Sequence, residues 1–137
     1  MKGCAILLGS FVVGLGIGLP VVAIVWTITG DDKTGSAVGT GFWLISSFII
    51  HAYASVWAVS VGSIRWVAED LSSERMRGKL RTAELRYAFV FGAIAGGLTH
   101  SLAAPWYLTV MVGGLLALLG GYIGYDIKRR YRRIGFI

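Results

Sequence analysis

Charge is what this chain is shortest of. Among 137 residues there are only 13 Lys and Arg and 7 Asp and Glu, and they are unevenly spread. No Asp, Glu, Lys or Arg occurs from Gly3 to Gly30, from Ala37 to Ile64, or from Tyr87 to Tyr125. A soluble helical domain needs charged side chains on its outward faces, and stretches of this length without any exclude one. Cysteine is scarcer still. Cys4 stands alone, which rules out an intrachain disulfide and any cage of several thiolates. With no apolar segment before it in the sequence, Cys4 is not expected to be the lipidation site of a secreted lipoprotein.

Other absences narrow the function. The long uncharged stretches hold no carboxylate, whereas proton-coupled transport relies on membrane-embedded acids and many cation pores on acidic rings. In size and span number the chain resembles the small multidrug transporters, but their first-span glutamate has no counterpart here. No Gly-x-Ser-x-Gly turn is present, and no acid lies near enough in sequence to orient a histidine base for a serine or threonine. The glycine-rich run Gly14-Leu15-Gly16-Ile17-Gly18 has no lysine after it, so it is not a phosphate loop. These residues give no basis for an enzyme, a cofactor or a metal site.

What is present is apolar. Hydrophobic residues make up 55% of the chain and the mean hydropathy is +0.71. A helix needs about 20 apolar residues to cross a hydrocarbon core of about 30 Å. Four spans satisfy that requirement, over residues 4–29, 38–64, 87–103 and 106–126. The last two divide at Ala103-Ala104-Pro105-Trp106, because proline ends a helix and Trp106 and Tyr107 suit the headgroup zone. Met1-Lys2 and the apolar run after it look like a signal peptide. The run continues for about 26 residues, beyond the usual ~7–15, so a retained first span is expected.

The basic residues give a direction. Lys33 stands alone between the first two spans, beside Asp31 and Asp32, and every other Lys and Arg falls at the opposite end. The positive-inside rule then places the N-terminus, the loop 65–86 and the tail 127–137 in the cytoplasm, as in a multi-pass protein of a bacterial inner membrane. The net charge of +6 reads as topology and lipid-phosphate contact, with no nucleic acid partner. In the loop, Glu69, Asp70 and Glu74 precede Arg75, Arg77, Lys79 and Arg81, a pattern predicting a helical hairpin broken near Ser72 or Gly78. Its face is either simply solvated or a docking surface for a cytoplasmic protein. The tail carries Lys128, Arg129, Arg130, Arg132 and Arg133 among apolar residues, and predicts an interfacial helix continuing from the fourth span.

Within the spans, Ser47, His51 and Ser55 form a polar stripe at four-residue spacing. It serves either interhelical hydrogen bonding or the lining of a pore. His51 and His100 lie at depths about 12 Å apart along their helices, too far to share one metal within a chain. Small residues recur at the same spacing: Ser10, Gly14 and Gly18 in the first span, Ala88, Gly92 and Gly96 in the third, Gly113, Ala117 and Gly121 in the fourth. In lipid such ridges allow backbones to approach closely, within the chain or between chains. The expected fold is an all-α integral membrane protein of four transmembrane helices with a cytoplasmic helical hairpin between helices 2 and 3. The expected function is a non-enzymatic subunit that assembles with itself or other membrane subunits. A homo-oligomeric pore of holin-like or effector type, lined by the serine-histidine stripe, is the alternative.

Overall fold

A computed structural model describes residues 3–60 and 74–135, and every regular element in it is helical. Helix α1 spans Gly3–Thr29, α2 Asp32–Ser60, α3 Glu74–Arg81, α4 Ala83–Ser101 and α5 Trp106–Arg133. Three of them are long and apolar enough to cross a membrane: α1 from Cys4 to Thr29, α2 over its whole length, and α5. In α4 the uncharged part runs from Tyr87 to Ser101, about 22 Å at 1.5 Å per residue, short of a full hydrocarbon core.

Local chemistry sets the turns. Gly30 adopts φ +68° and its N–H donates to the Trp26 carbonyl at 2.7 Å, closing α1 with a left-handed cap. Asp31 then caps α2. Its carbonyl accepts from the Gly35 N–H at 3.0 Å, and its carboxylate accepts from the Thr34 N–H at 3.0 Å, the Lys33 N–H at 3.3 Å and the Thr34 hydroxyl. The Thr34 hydroxyl and then the Thr34 N–H hold this carboxyl below its ordinary value. The cap explains why α2 begins at Asp32, six residues ahead of the expected span at Val38.

At the other turn, the Ala104 N–H donates to Thr99 C=O at 3.1 Å and the Ala103 N–H to His100 C=O at 3.0 Å. This is a Schellman closure with Ala103, φ 54°, where glycine is usual. Pro105 follows, and its carbonyl accepts the first N–H groups of α5, from Leu108 and Thr109.

Two antiparallel hairpins result, α1–α2 and α4–α5, each packed through glycine. A Cβ on Gly18 would lie 2.9 Å from the Gly39 carbonyl oxygen, and one on Gly39 would meet Val22 and the Gly18 carbonyl. In the second hairpin a Cβ on Gly124 would lie 2.6 Å from the Ala83 carbonyl oxygen. Close backbone approach of this kind maximises dispersion contacts where lipid removes the ordinary hydrophobic drive between helices. The hairpins meet through α2, which touches α4 and α5. Phe91, Ala52, Val56, Ile123 and Ile127 are buried there, and α3 adds Leu80. The remaining apolar surface faces outward: Leu8 is 65% exposed, Ile28 78% and Leu118 73%. Apolar side chains over three long helices turned to the surroundings fit a multi-pass membrane protein.

One expectation for the central loop changes. Gly78 lies inside α3, and the chain breaks instead at Thr82, between α3 and α4. Thr82 starts the new helix, its carbonyl accepting the Arg86 N–H at 3.0 Å, whereas Gly78 meets no described residue closely enough to demand a break. A break near Ser72 and the ends of loop and second span at 61–73 lie outside the described residues. The basic tail continues α5 as one helix to Arg133.

Candidate functional site

Both turns lie at one end of the molecule and the basic residues of α3 and α5 at the other. Between the hairpins, toward the turn end, a cleft of about 520 Å³ opens. One wall is α2 from Ala37 to Ile49; the other is α4 from Ile94 to Leu102 with Val112, Leu116 and Leu119 of α5. The walls touch where Gly41 leaves room for Leu98, whose Cδ1 would be 2.8 Å from a Cβ at that position. Two hydroxyls line the cleft, and both are spent on their own helices. Ser46 Oγ donates to the Phe42 carbonyl at 2.5 Å or the Trp43 carbonyl at 3.1 Å. Thr99 Oγ1 donates to Ala95 C=O at 2.9 Å or Gly96 C=O at 3.1 Å. The lining therefore offers an apolar guest contact and no free donor.

A polar cluster joins the hairpins at the basic end. The Tyr53 hydroxyl of α2 donates to Asp126 Oδ2 of α5 at 2.7 Å. Arg130, one turn beyond Asp126, donates to the same oxygen at 2.8 Å, and its guanidinium lies 5.2 Å from the centre of the Tyr53 ring. The arginine thus neutralises the carboxylate while stacking on its other partner. Nearby, Lys128 Nζ pairs with Glu84 Oε1 at 3.2 Å and ties α5 to α4. Arg77, Lys79, Arg81, Arg129, Arg132 and Arg133 are exposed. The side chain of Arg75 lies outside the described residues.

The serine-histidine stripe does not form one open face. Ser47 is 1% exposed and sits under Gly14 in the α1–α2 seam, its hydroxyl donating to Trp43 C=O at 2.6 Å. The Ser55 hydroxyl donates to the His51 carbonyl at 2.8 Å. His51 is half-buried, and its Nδ1 is buried with no hydrogen-bond partner among the described residues. His100 is exposed at the turn end of α4.

The small residues fall mostly inside the hairpins. Ser10, Gly14 and Gly18 are buried, and Gly14 and Gly18 lie against α2. A Cβ on Gly92 would stand 3.1 Å from that of Ala117, and Gly96 lies beside Gly113. Gly121 makes only ordinary contact with Ala88; the tight position is its neighbour Gly120, where a Cβ would stand 2.3 Å from the Tyr87 carbonyl oxygen.

Three features escaped the sequence. Gly35 and Gly39 continue the Ser47 row at four-residue spacing, but Trp43 interrupts it in the sequence. In space Trp43 belongs to the seam, its indole N–H donating to the Phe11 carbonyl at 2.9 Å. The Tyr53–Asp126 bond joins residues 73 apart, with no local signal. The cleft arises from two helix pairs diverging, which no single helix records. Compared with known proteins, the chain matches no family model, no curated protein and no solved structure.

Proposed function

We propose that this chain is a non-enzymatic, four-span membrane subunit that assembles through α1 with copies of itself or with other membrane proteins. The observation that carries it is the isolation of α1. Among the described residues this helix packs appreciably against α2 alone, and its remaining circumference is apolar, with Val12 70% and Leu19 60% exposed. Gly9 and Gly16 lie on that outward surface with no described residue within 4 Å of where a Cβ would be. A neighbouring helix can approach such notches closely, and van der Waals packing is the main source of association in lipid.

Alignment along α5 supports α4 as the fourth crossing: Ala83 lies against Gly124 at one end and Gly96 against Gly113 at the other. Its short uncharged part is offset at the basic end, where Glu84 is neutralised by Lys128 and Arg86 can reach the headgroups. Positive-inside placement puts the basic end, with both termini, in the cytoplasm, where the exposed arginines of α3 and α5 meet anionic headgroups or an acidic partner. Burial of Ser47 under Gly14 leaves a pore little polar lining, which favours assembly over conduction.

Mass measurement of the complex extracted in mild detergent tests this. Multiples of the 14.7 kDa chain, or co-purifying membrane subunits, are expected, and Gly9→Leu with Gly16→Leu should disperse them. A chain that leaves the membrane alone in every mild detergent and in nanodiscs would overturn it.

A further inference from the structure

We infer that the cleft between the hairpins is a binding site for one acyl chain of a membrane phospholipid. This goes beyond assembly, because it assigns a ligand to a surface that α1 does not share.

Dimensions select the guest. The cleft follows α2 from Ala37 to Ile49, about 18 Å at 1.5 Å per residue. Its volume of about 520 Å³ then averages roughly 29 Å² in cross-section. The cleft is open along one side, and a helix 10–12 Å across presents roughly 80–110 Å², so a second copy's helix would rest over the opening without filling the space between the walls. Carbon atoms in van der Waals contact lie 3.5–4.0 Å apart, which gives an extended alkyl chain roughly 10–15 Å². One such chain enters with room to bend. Along its length, C–C bonds of 1.52 Å advance about 1.25 Å per carbon, so 18 Å accommodates about 14 carbons.

Chemistry agrees with size. Ser46 and Thr99 satisfy their hydroxyls on their own helices, so a guest without polar atoms loses nothing by entering. A quinone or haem, whose polar groups need partners, finds none in the lining. Ala37 lies about a turn and a half from the start of α2 and Leu102 just past the end of α4, so the mouth opens toward the turn end of the helices. The flanking turn holds Asp31 and Asp32 against Lys33, so it does not attract an anionic headgroup. The site recognises the chain and not the head.

Native mass spectrometry of the full chain, released from detergent with added dioleoylphosphatidylcholine, tests the site. One adduct should persist at collision energies that strip all others, equally with dioleoylphosphatidylglycerol. Ser46→Trp fills the cleft from α2 and should lower that adduct at least fivefold; Thr99→Phe should do the same from α4. Leu118→Trp, on the outer face of α5, should leave it unchanged. Helical circular dichroism and detergent gel filtration identify which cleft variants are folded, and either one suffices. Absence of a persistent adduct overturns the inference. So does an adduct seen only with phosphatidylglycerol, or one that survives Ser46→Trp in folded protein, since the lipid would then sit on the basic end. Loss of a protein dimer on Ser46→Trp, with the lipid signal unchanged, would instead place a second copy in the cleft and equally overturn it. Assembly through α1 has its own readout in the Gly9 and Gly16 variants, so the two conclusions fail separately.

Discussion

Replacing Gly120 with alanine should push α5 away from α4. A methyl there would stand 2.3 Å from the Tyr87 carbonyl oxygen, 2.7 Å from the Tyr87 carbonyl carbon and 3.0 Å from the Ala88 nitrogen. All three are backbone atoms of a helix, so no side-chain rotation relieves the overlap. Ordinary contact requires a withdrawal of about 1 Å, and a gap of that size forfeits a quarter to a half of each contact's ~0.1–0.2 kcal/mol. If roughly fifty atom pairs share the seam, as many as one buried leucine makes, about 2.5 kcal/mol is lost. That falls within the ~1–3 kcal/mol typical of overpacked cores. The better helix propensity of alanine offsets little, because the separated helices stay helical in detergent or lipid. The assay is SDS titration of the protein in mixed micelles, followed by circular dichroism and tryptophan fluorescence. Gly114→Ala, where no described residue lies within 4 Å, is the matched control in the same helix. A Gly120 variant within 0.5 kcal/mol of the parent, or a Gly114 variant equally damaged, would refute the packing argument.

Three further outcomes follow from named contacts. Tyr53→Phe removes the hydrogen bond by which α2 reaches Asp126 of α5, and should cost about 1 kcal/mol in the same titration, within the ~0.6–1.7 kcal/mol range of interhelical bonds; no measurable change would mean the bond contributes nothing. Ala103→Gly relieves a left-handed alanine worth roughly 1–2 kcal/mol against ~0.4–1 kcal/mol of added unfolded-state freedom, so the SDS midpoint should rise. A fall would show that Ala103 is not strained. The Asp31 cap should be at full strength above about pH 4 and fade as pH drops through its lowered folded value, because the unfolded carboxyl takes up its proton first. An NMR titration of its side-chain carboxyl in nanodiscs reads this, and a midpoint at or above the usual aspartate value would contradict it.

The helical membrane character was legible because lipid imposes it so coarsely. Charge-free runs, the polar turn at Asp31–Lys33 and the Ala103–Pro105 break are all local. Helix ends were less so: α2 starts at Asp32 because one carboxylate collects donors from Lys33 and Thr34, a geometry that hydropathy does not register. The small residues were visible as rows, but a row does not name its neighbour. Gly14 and Gly18 face α2, and Gly120 rather than Gly121 takes the tight contact, because helix phase is fixed only once two helices are paired. Ser47 looked like part of a polar stripe with His51 and Ser55; a hydroxyl bonded to its own helix is small and self-sufficient enough to serve as seam filling. The cleft was out of reach of the sequence, since its walls come from residues more than 40 positions apart.

Each hairpin draws its tightest contacts from partners that are consecutive in the chain. During synthesis the first pair is therefore complete in its own close packing before Glu74 has been made, and the second needs nothing from the first to zip together. The protein is in this sense two prefabricated halves. Severing the backbone between Ser60 and Glu74 should leave both pieces able to insert, find each other through Tyr53 and Asp126, and restore the whole.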